Sequence, residues 1–179
     1  MRNVFLVGYM GVGKTTIGKL LSVEMNMQFI DLDKYIESRY RKTIQELFDK
    51  KGEDAFRKIE REMLHEVATF QNVLISTGGG TPCFYNNMEY MNKMGVTVYV
   101  KASVEQLVFR LLASKNARPL IQNKSPQELS EFVTQHLEQR QEYYSQANVT
   151  YENEYLVSLA HVSKSVDAIR QLLEVNTNN

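Results

Sequence analysis

Near the amino terminus, within VFLVGYMGVGKTTIGKLL, Gly8, Gly13, Lys14 and Thr15 satisfy the spacing G-x-x-x-x-G-K-[ST]. That pattern suits the binding of a polyphosphate. Glycine lets the backbone take conformations closed to other residues and approach a ligand closely, so consecutive N–H groups can turn toward phosphate oxygens. Lys14 supplies a point charge for the β and γ phosphates and the Thr15 hydroxyl can ligate Mg2+. A helix starting at Lys14 adds the positive end of its dipole. A glycine-rich turn that precedes a lysine by accident is the bland alternative, and the strand before and helix after it make that coincidence rare.

A phosphate cradle does not say which group accepts the phosphoryl. Three further clusters bear on that. FIDLD places Asp31 and Asp33 two apart, so in extended chain both carboxylates fall on one side. One can support a metal's shell and the other can accept a hydrogen bond from an attacking hydroxyl; equally, Asp33 can simply cap the helix that follows. TGGG, Thr77 to Gly80, follows the third strand, where many phosphate-loop enzymes carry a metal-organising aspartate. Here only Ser76 and Thr77 stand there, which leaves Asp31 as the nearest carboxylate for the metal. The glycines suit close approach of a substrate to bare backbone, or a tight turn. Among the arginines, Arg57 lies three residues before Glu60, the spacing of a solvated ion pair. Arg140 continues the apolar stripe Leu129, Phe132, Val133, Leu137, so its guanidinium is expected to point inward, where a substrate carboxylate would accept its planar fork. Arg118, in ARPL, suits an in-chain arginine finger or an idle surface charge.

The elements that must carry these groups alternate between short apolar runs and amphipathic stretches, the rhythm of βαβ units. Strands are expected at Asn3 to Val7, Gln28 to Asp31, Val73 to Thr77, Val96 to Lys101 and Tyr155 to Leu159. Helices are expected from Lys14, over Asp54 to Phe70, after the SVEQ and SPQE capping signals at Ser103 and Ser125, and along Val166, Ile169, Leu172 and Leu173. Strands covered on both faces make a parallel sheet, with ligands beyond its carboxyl ends. The fold class is therefore α/β: a three-layer α/β/α sandwich around a central five-stranded parallel sheet. SKNARPLIQNK keeps neither period, and a basic loop at about 112–124 reads as a lid.

Taken in order, GYMGVGKTT, FIDLD, GEDAFRKIE, ISTGGG, ARPLI and RQEYYSQA resemble the shikimate kinase family from about residue 3 to 150. The resemblance implies a P-loop kinase fold in a single domain over 1–179, with substrate-binding helices at about 33–62. It also implies transfer of the γ-phosphoryl group of ATP to the 3-hydroxyl of shikimate. On that basis Gly11, Val12, Gly13, Lys14, Thr15 and Thr16 would hold the phosphates, with Thr15 on one Mg2+ and Asp31 on its water shell. Asp33, Arg57, Arg140 and the backbone of Gly78, Gly79 and Gly80 would bind shikimate. Asp33 would be the general base, Lys14 and Arg118 would act on the transferring group, and Arg110 lies near the place of an adenine-stacking arginine. Two positions depart from the family pattern: the spacing from Arg110 to Arg118 is longer by one residue than the family's, and Glu142 stands where a proline is common.

Composition sets the outer limits. A chain of 179 residues, 43% hydrophobic and 23% charged, suits one globular domain. Its 21 basic and 21 acidic residues balance, so no global field favours nucleic acid or an anionic membrane. A single cysteine, Cys83, excludes an internal disulfide and fits the cytoplasm. His65, His136 and His161 lack zinc-ligand spacing, Met88, Met91 and Met94 read as core filling, and a monomer is expected. The rival readings are a kinase of gluconate or of a nucleotide, and a nucleotide-binding module without chemistry.

Overall fold

The computed structural model describes residues 2–114, 124–153 and 158–177. Strands β1 (Asn3–Val7), β2 (Gln28–Asp31), β3 (Val73–Ser76), β4 (Gly95–Lys101) and β5 (Val149–Glu152) form one sheet in the order β2-β3-β1-β4-β5. Every pairing is parallel. Between the strands run α1 (Lys14–Glu24), α2 (Leu32–Tyr40), α3 (Ile44–Lys51), α4 (Glu53–Ala68), α5 (Asn87–Met94), α6 (Val104–Ala113), α7 (Pro126–Tyr144) and α8 (Leu159–Thr177). A short 3-10 turn covers Thr81–Cys83.

Strand side chains alternate between two cores, which is why the apolar runs are continuous rather than alternating. Val4, Leu6, Val98 and Val100 pack with residues of α1, α6, α7 and α8. Phe5, Val7, Ile75 and Tyr99 pack on the other face with residues of α2, α3, α4 and α5, including the buried Met88 and Met91. Two covered faces make the expected three layers. Helix α1 lies tight on the sheet: a methyl group at Gly18 would stand 2.6 Å from Phe29 Cε2.

Helix α7 serves both cores. Leu129 and Val133 belong to the first, Tyr144 to the second, and Leu137 packs against both. The helix thus passes from one layer to the other, and its last turns bring Arg140 and Tyr144 to Gly79. It opens with the expected capping box, Ser125 accepting from Glu128 N and Glu128 from Ser125 N. At α6 only half of the expected device is present, Ser103 accepting from Gln106 N.

The fifth strand corrects the sequence expectation. It lies at Val149–Glu152, upstream of Tyr155 to Leu159; residues 155–157 lie outside the described part and Leu159 opens α8. As the edge strand beside β4 it buries only Val149 of its four residues, so its pattern carries little hydrophobic signal. No helix among the described residues is long and apolar enough to cross a membrane.

Candidate active site

The loops after β1, β2 and β3, three neighbouring strands, converge at the carboxyl edge of the sheet. After β1, Gly8, Gly11 and Gly13 take positive φ values of 138°, 81° and 100°. At Gly8 a side chain would also collide with the Val100 carbonyl, so the turn requires glycine twice over. Helix α1 begins on Gly13 with no side-chain cap and no acidic residue in its first turn, whereas α2 through α7 each carry one there. Its positive end is left for an external anion. Lys14, buried, donates from Nζ to the Gly8 and Tyr9 carbonyls at 2.7 and 3.0 Å, folded back along the loop that a phosphate would fill.

Thr15 Oγ1 donates to Asp31 Oδ2 at 2.9 Å. The other oxygen, Asp31 Oδ1, accepts from Lys34 N and caps α2. Capping therefore falls to Asp31 and not to Asp33, because the helix already starts at Leu32. A hydroxyl and a carboxylate are hard oxygen donors that suit Mg2+. Among the described residues no group of three or more His, Cys, Asp or Glu could hold a metal, so an ion here would take most of its ligands from phosphates and water.

Asp33 is freed for another task. Its Oδ1 would lie 3.0 Å from a methyl group at Gly78, so the carboxylate faces inward onto the glycine turn. Burial raises its pKa from 3.8 to about 6, the charges of Glu60 and Asp31 push the same way, and Lys14 offsets part of the rise. Near neutral pH it is a carboxylate with an unusually high affinity for a proton.

Each glycine of the turn faces one of the groups singled out in the sequence. Asp33 borders Gly78; a methyl at Gly79 would stand 3.5 Å from Arg140 Nη1; one at Gly80 would stand 2.7 Å from Arg57 Nη2. Arg57 is not the solvated ion pair its spacing suggests. Its Nη1 bonds Glu60 Oε2 at 2.8 Å, and that carboxylate is only 2% exposed. Glu60 Oε1 accepts from Thr81 Oγ1 at 2.6 Å, and the guanidinium lies 4.2 Å from the Phe84 ring centroid. Arg140 lies over the Tyr9 ring, 5.5 Å from its centroid. Cys83 lies within electrostatic reach of both arginines, yet burial pushes its thiol up to about 11, so it stays protonated.

Arg110 donates to the Val12 carbonyl at 3.3 Å and to the Asn153 carbonyl at 2.9 Å, which puts it beside the phosphate loop. Arg118, with most of the expected lid, lies outside the described residues. Sequence reading took Glu60 only as the partner of a solvated ion pair, and missed Tyr144 and Asn153. Glu60 sits on the buried stripe of α4 with Phe56, Ile59 and Leu64, a charge on an apolar face that could have been noticed. Tyr144 lies one turn beyond Arg140 on the stripe that marked the arginine. Asn153, 1% exposed, donates from Nδ2 to the Val12 carbonyl, a contact across the chain with no local signal.

A strand-to-helix phosphate loop beside a glycine turn faced by two arginines and an inward aspartate defines a P-loop kinase acting on a small anionic molecule. Residues 10–171 match the family model for shikimate kinase. A shikimate kinase of Parabacteroides distasonis is 50% identical over 173 residues, spanning 97% of this chain and 100% of its own. The crystal structure of shikimate kinase from Bacteroides thetaiotaomicron superposes with a TM-score of 0.94 at 48% identity, covering 97% of this chain and 98% of that one. Shikimate kinase from Acinetobacter baumannii in complex with shikimate gives 0.82 at 31% identity, covering 97% and 94%. The chain belongs to the shikimate kinase family, and its activity is that of an ATP-dependent kinase whose acceptor is shikimate.

Proposed function

We propose that the γ-phosphoryl group passes to the 3-hydroxyl of shikimate beside the phosphate loop and the Gly78–Gly80 turn, with each residue in the role that its surroundings favour. The observation that carries this reading is the placement of Asp33, Arg140 and Arg57 against three consecutive glycines. Shikimate has one carboxylate and three hydroxyls. Guanidinium forks suit the carboxylate, and bare backbone with one aspartate suits the hydroxyls.

Asp33 accepts a hydrogen bond from the attacking hydroxyl, orients it toward the γ-phosphate and takes its proton. In a loose transition state the orientation is the larger part of the work. The N–H groups from Gly11 to Thr16 and the Lys14 ammonium hold the phosphate oxygens, which requires Lys14 to leave the carbonyls of Gly8 and Tyr9. Thr15 would hold one Mg2+ and Asp31 its water shell, giving up the hydrogen bond that now joins the two side chains. When bound, the ion neutralises charge on the phosphate chain. Arg110 is assigned to the nucleotide, and Arg118 to the lid over the phosphoryl group. Every assigned group comes from one chain, which fits a monomer, and the lone cysteine fits the cytoplasm.

The test is ADP release with shikimate, gluconate and nucleoside monophosphates offered in parallel, repeated with Arg57→Ala and Arg140→Ala. Turnover with shikimate alone, and a KM for shikimate at least tenfold higher in both variants with KM for ATP little changed, is the expected result. No turnover of shikimate above buffer would defeat the reading.

A further inference from the structure

The Gly78–Gly80 turn presents its two sides very differently. All three carbonyls are engaged inside the protein: Gly78 O accepts from Thr81 N at 3.2 Å, Gly80 O from Cys83 N at 2.9 Å, and Gly79 O from the Tyr144 hydroxyl at 2.6 Å. Among the described residues none of the three N–H groups has an acceptor. In a trans peptide the C=O and N–H point in opposite directions, so holding the Gly78 and Gly79 carbonyls inward turns outward the N–H groups of Gly79 and Gly80, which share those two peptides. Two of the three holds are local backbone bonds of the turn. The third comes from a side chain 65 residues away.

Tyr144 is built for that one contact. Its side chain is fully buried, tilted against Tyr99 of β4 with ring centroids 5.0 Å apart, and it lies one helical turn from Arg140 on α7. Burial pushes the phenol well above its ordinary range, against the nearby charge of Arg140, so the hydroxyl remains a donor at every working pH. Gly79 is in turn wedged between Arg140 and the phosphate loop, 3.3 Å from Met10 N to a methyl placed there. Without Cβ, its flanking peptides could rotate at little cost.

We propose that Tyr144 is a positioning residue for the acceptor: its hydroxyl, by holding the Gly79 carbonyl, fixes the Gly79–Gly80 peptide with its N–H toward the substrate, in register with Arg140 on the same helix. The proposal rests on the assignment of shikimate to this site.

Tyr144→Phe keeps the ring and removes only the hydrogen bond. Shikimate turnover by the parent is read first, and its absence would take down the substrate assignment and this proposal together. With that turnover in hand, KM for shikimate in Tyr144→Phe is expected to rise about tenfold, the effect of losing one well-placed hydrogen bond. KM for ATP stays near the parent value. An unchanged KM for shikimate would overturn the proposal, and so would parallel rises in both KM values with a collapse in Tm, the pattern of a merely structural role. A second measurement needs no variant: in isotope-labelled parent protein, saturating shikimate should shift the Gly80 amide and Gly79 carbonyl resonances, and unmoved signals would overturn the proposal.

Discussion

Asp33 is placed where an ionised carboxylate is costly, between the buried Glu60 and Asp31 and largely cut off from water. Its pKa of 3.8 in an open chain becomes about 6 in the fold, so between those values the folded protein holds the proton more tightly than the unfolded chain. The Asp33 contribution to stability is therefore most favourable below the lower value and falls as pH rises from there to about 6, and at pH 7.5 its full cost of roughly 3 kcal/mol is present. A neutral amide in place of the carboxylate would not carry that cost. Asp33→Asn is expected to melt above the parent at pH 7.5, to lose that advantage near pH 4 in thermal melts, and to lose about 10²–10⁴ in kcat while still binding ATP. In the parent, kcat/KM should climb as pH rises through about 6, because only the ionised form accepts the hydroxyl's proton. A flat profile, or a variant as active as the parent, would remove Asp33 from the reaction. The sequence offered Asp33 as either cap or base, and the alternatives could not be separated until the helix start at Leu32 passed the capping role to Asp31.

At the level of elements, the glycine turn after β3 works through what it leaves out. Gly80 has an ordinary negative φ of −89°, so no backbone strain forbids alanine there. The obstacle is the Arg57 guanidinium, with Nη2 at 2.7 Å and Nη1 at 2.8 Å from an added methyl. Arg57 cannot retreat easily, being held by Glu60 and Glu53 and packed on Phe84. Gly80→Ala is accordingly expected to raise KM for shikimate by one to two orders of magnitude, in steady-state assays, with a small loss of Tm. An unchanged KM would show that Arg57 does not set the shape of that wall. Elements with strong local signals were legible: the glycines and lysine around α1, the Ser125 box of α7, the continuous apolar runs of β1 and β4. Helices α2 and α3, nine and eight residues long, were not individually legible, because so few turns establish no clear period.

For the whole molecule, strand order explains why motifs scattered over the first eighty residues form one site. The segments after β1, β2 and β3 follow one another in the chain, and the order β2-β3-β1 puts their carboxyl ends side by side. A parallel sheet with ligands at that edge was legible from the alternation of elements, so the cradle, Asp31, Asp33 and the glycine turn could be read without coordinates. Arg140 comes from far along the chain, and only its place on an apolar stripe gave it away. Its neighbours Tyr144 and Tyr9, and the Arg110–Asn153–Val12 contacts, depend on α7 crossing from one core to the other and on α6 and the segment after β5 meeting the loop; no local pattern encodes such meetings. With binding groups gathered from so many elements, shikimate and nucleotide should each raise Tm with the logarithm of concentration once above Kd in thermal-shift titrations, and Arg140→Ala should shrink the shikimate part alone. The decisive observation is a crystal structure with shikimate and a non-hydrolysable ATP analogue bound together. The shikimate carboxylate is expected within about 3 Å of both Arg57 and Arg140, with the 3-hydroxyl on Asp33. A carboxylate bound elsewhere, with those two guanidinium groups turned to solvent, would contradict the assignment.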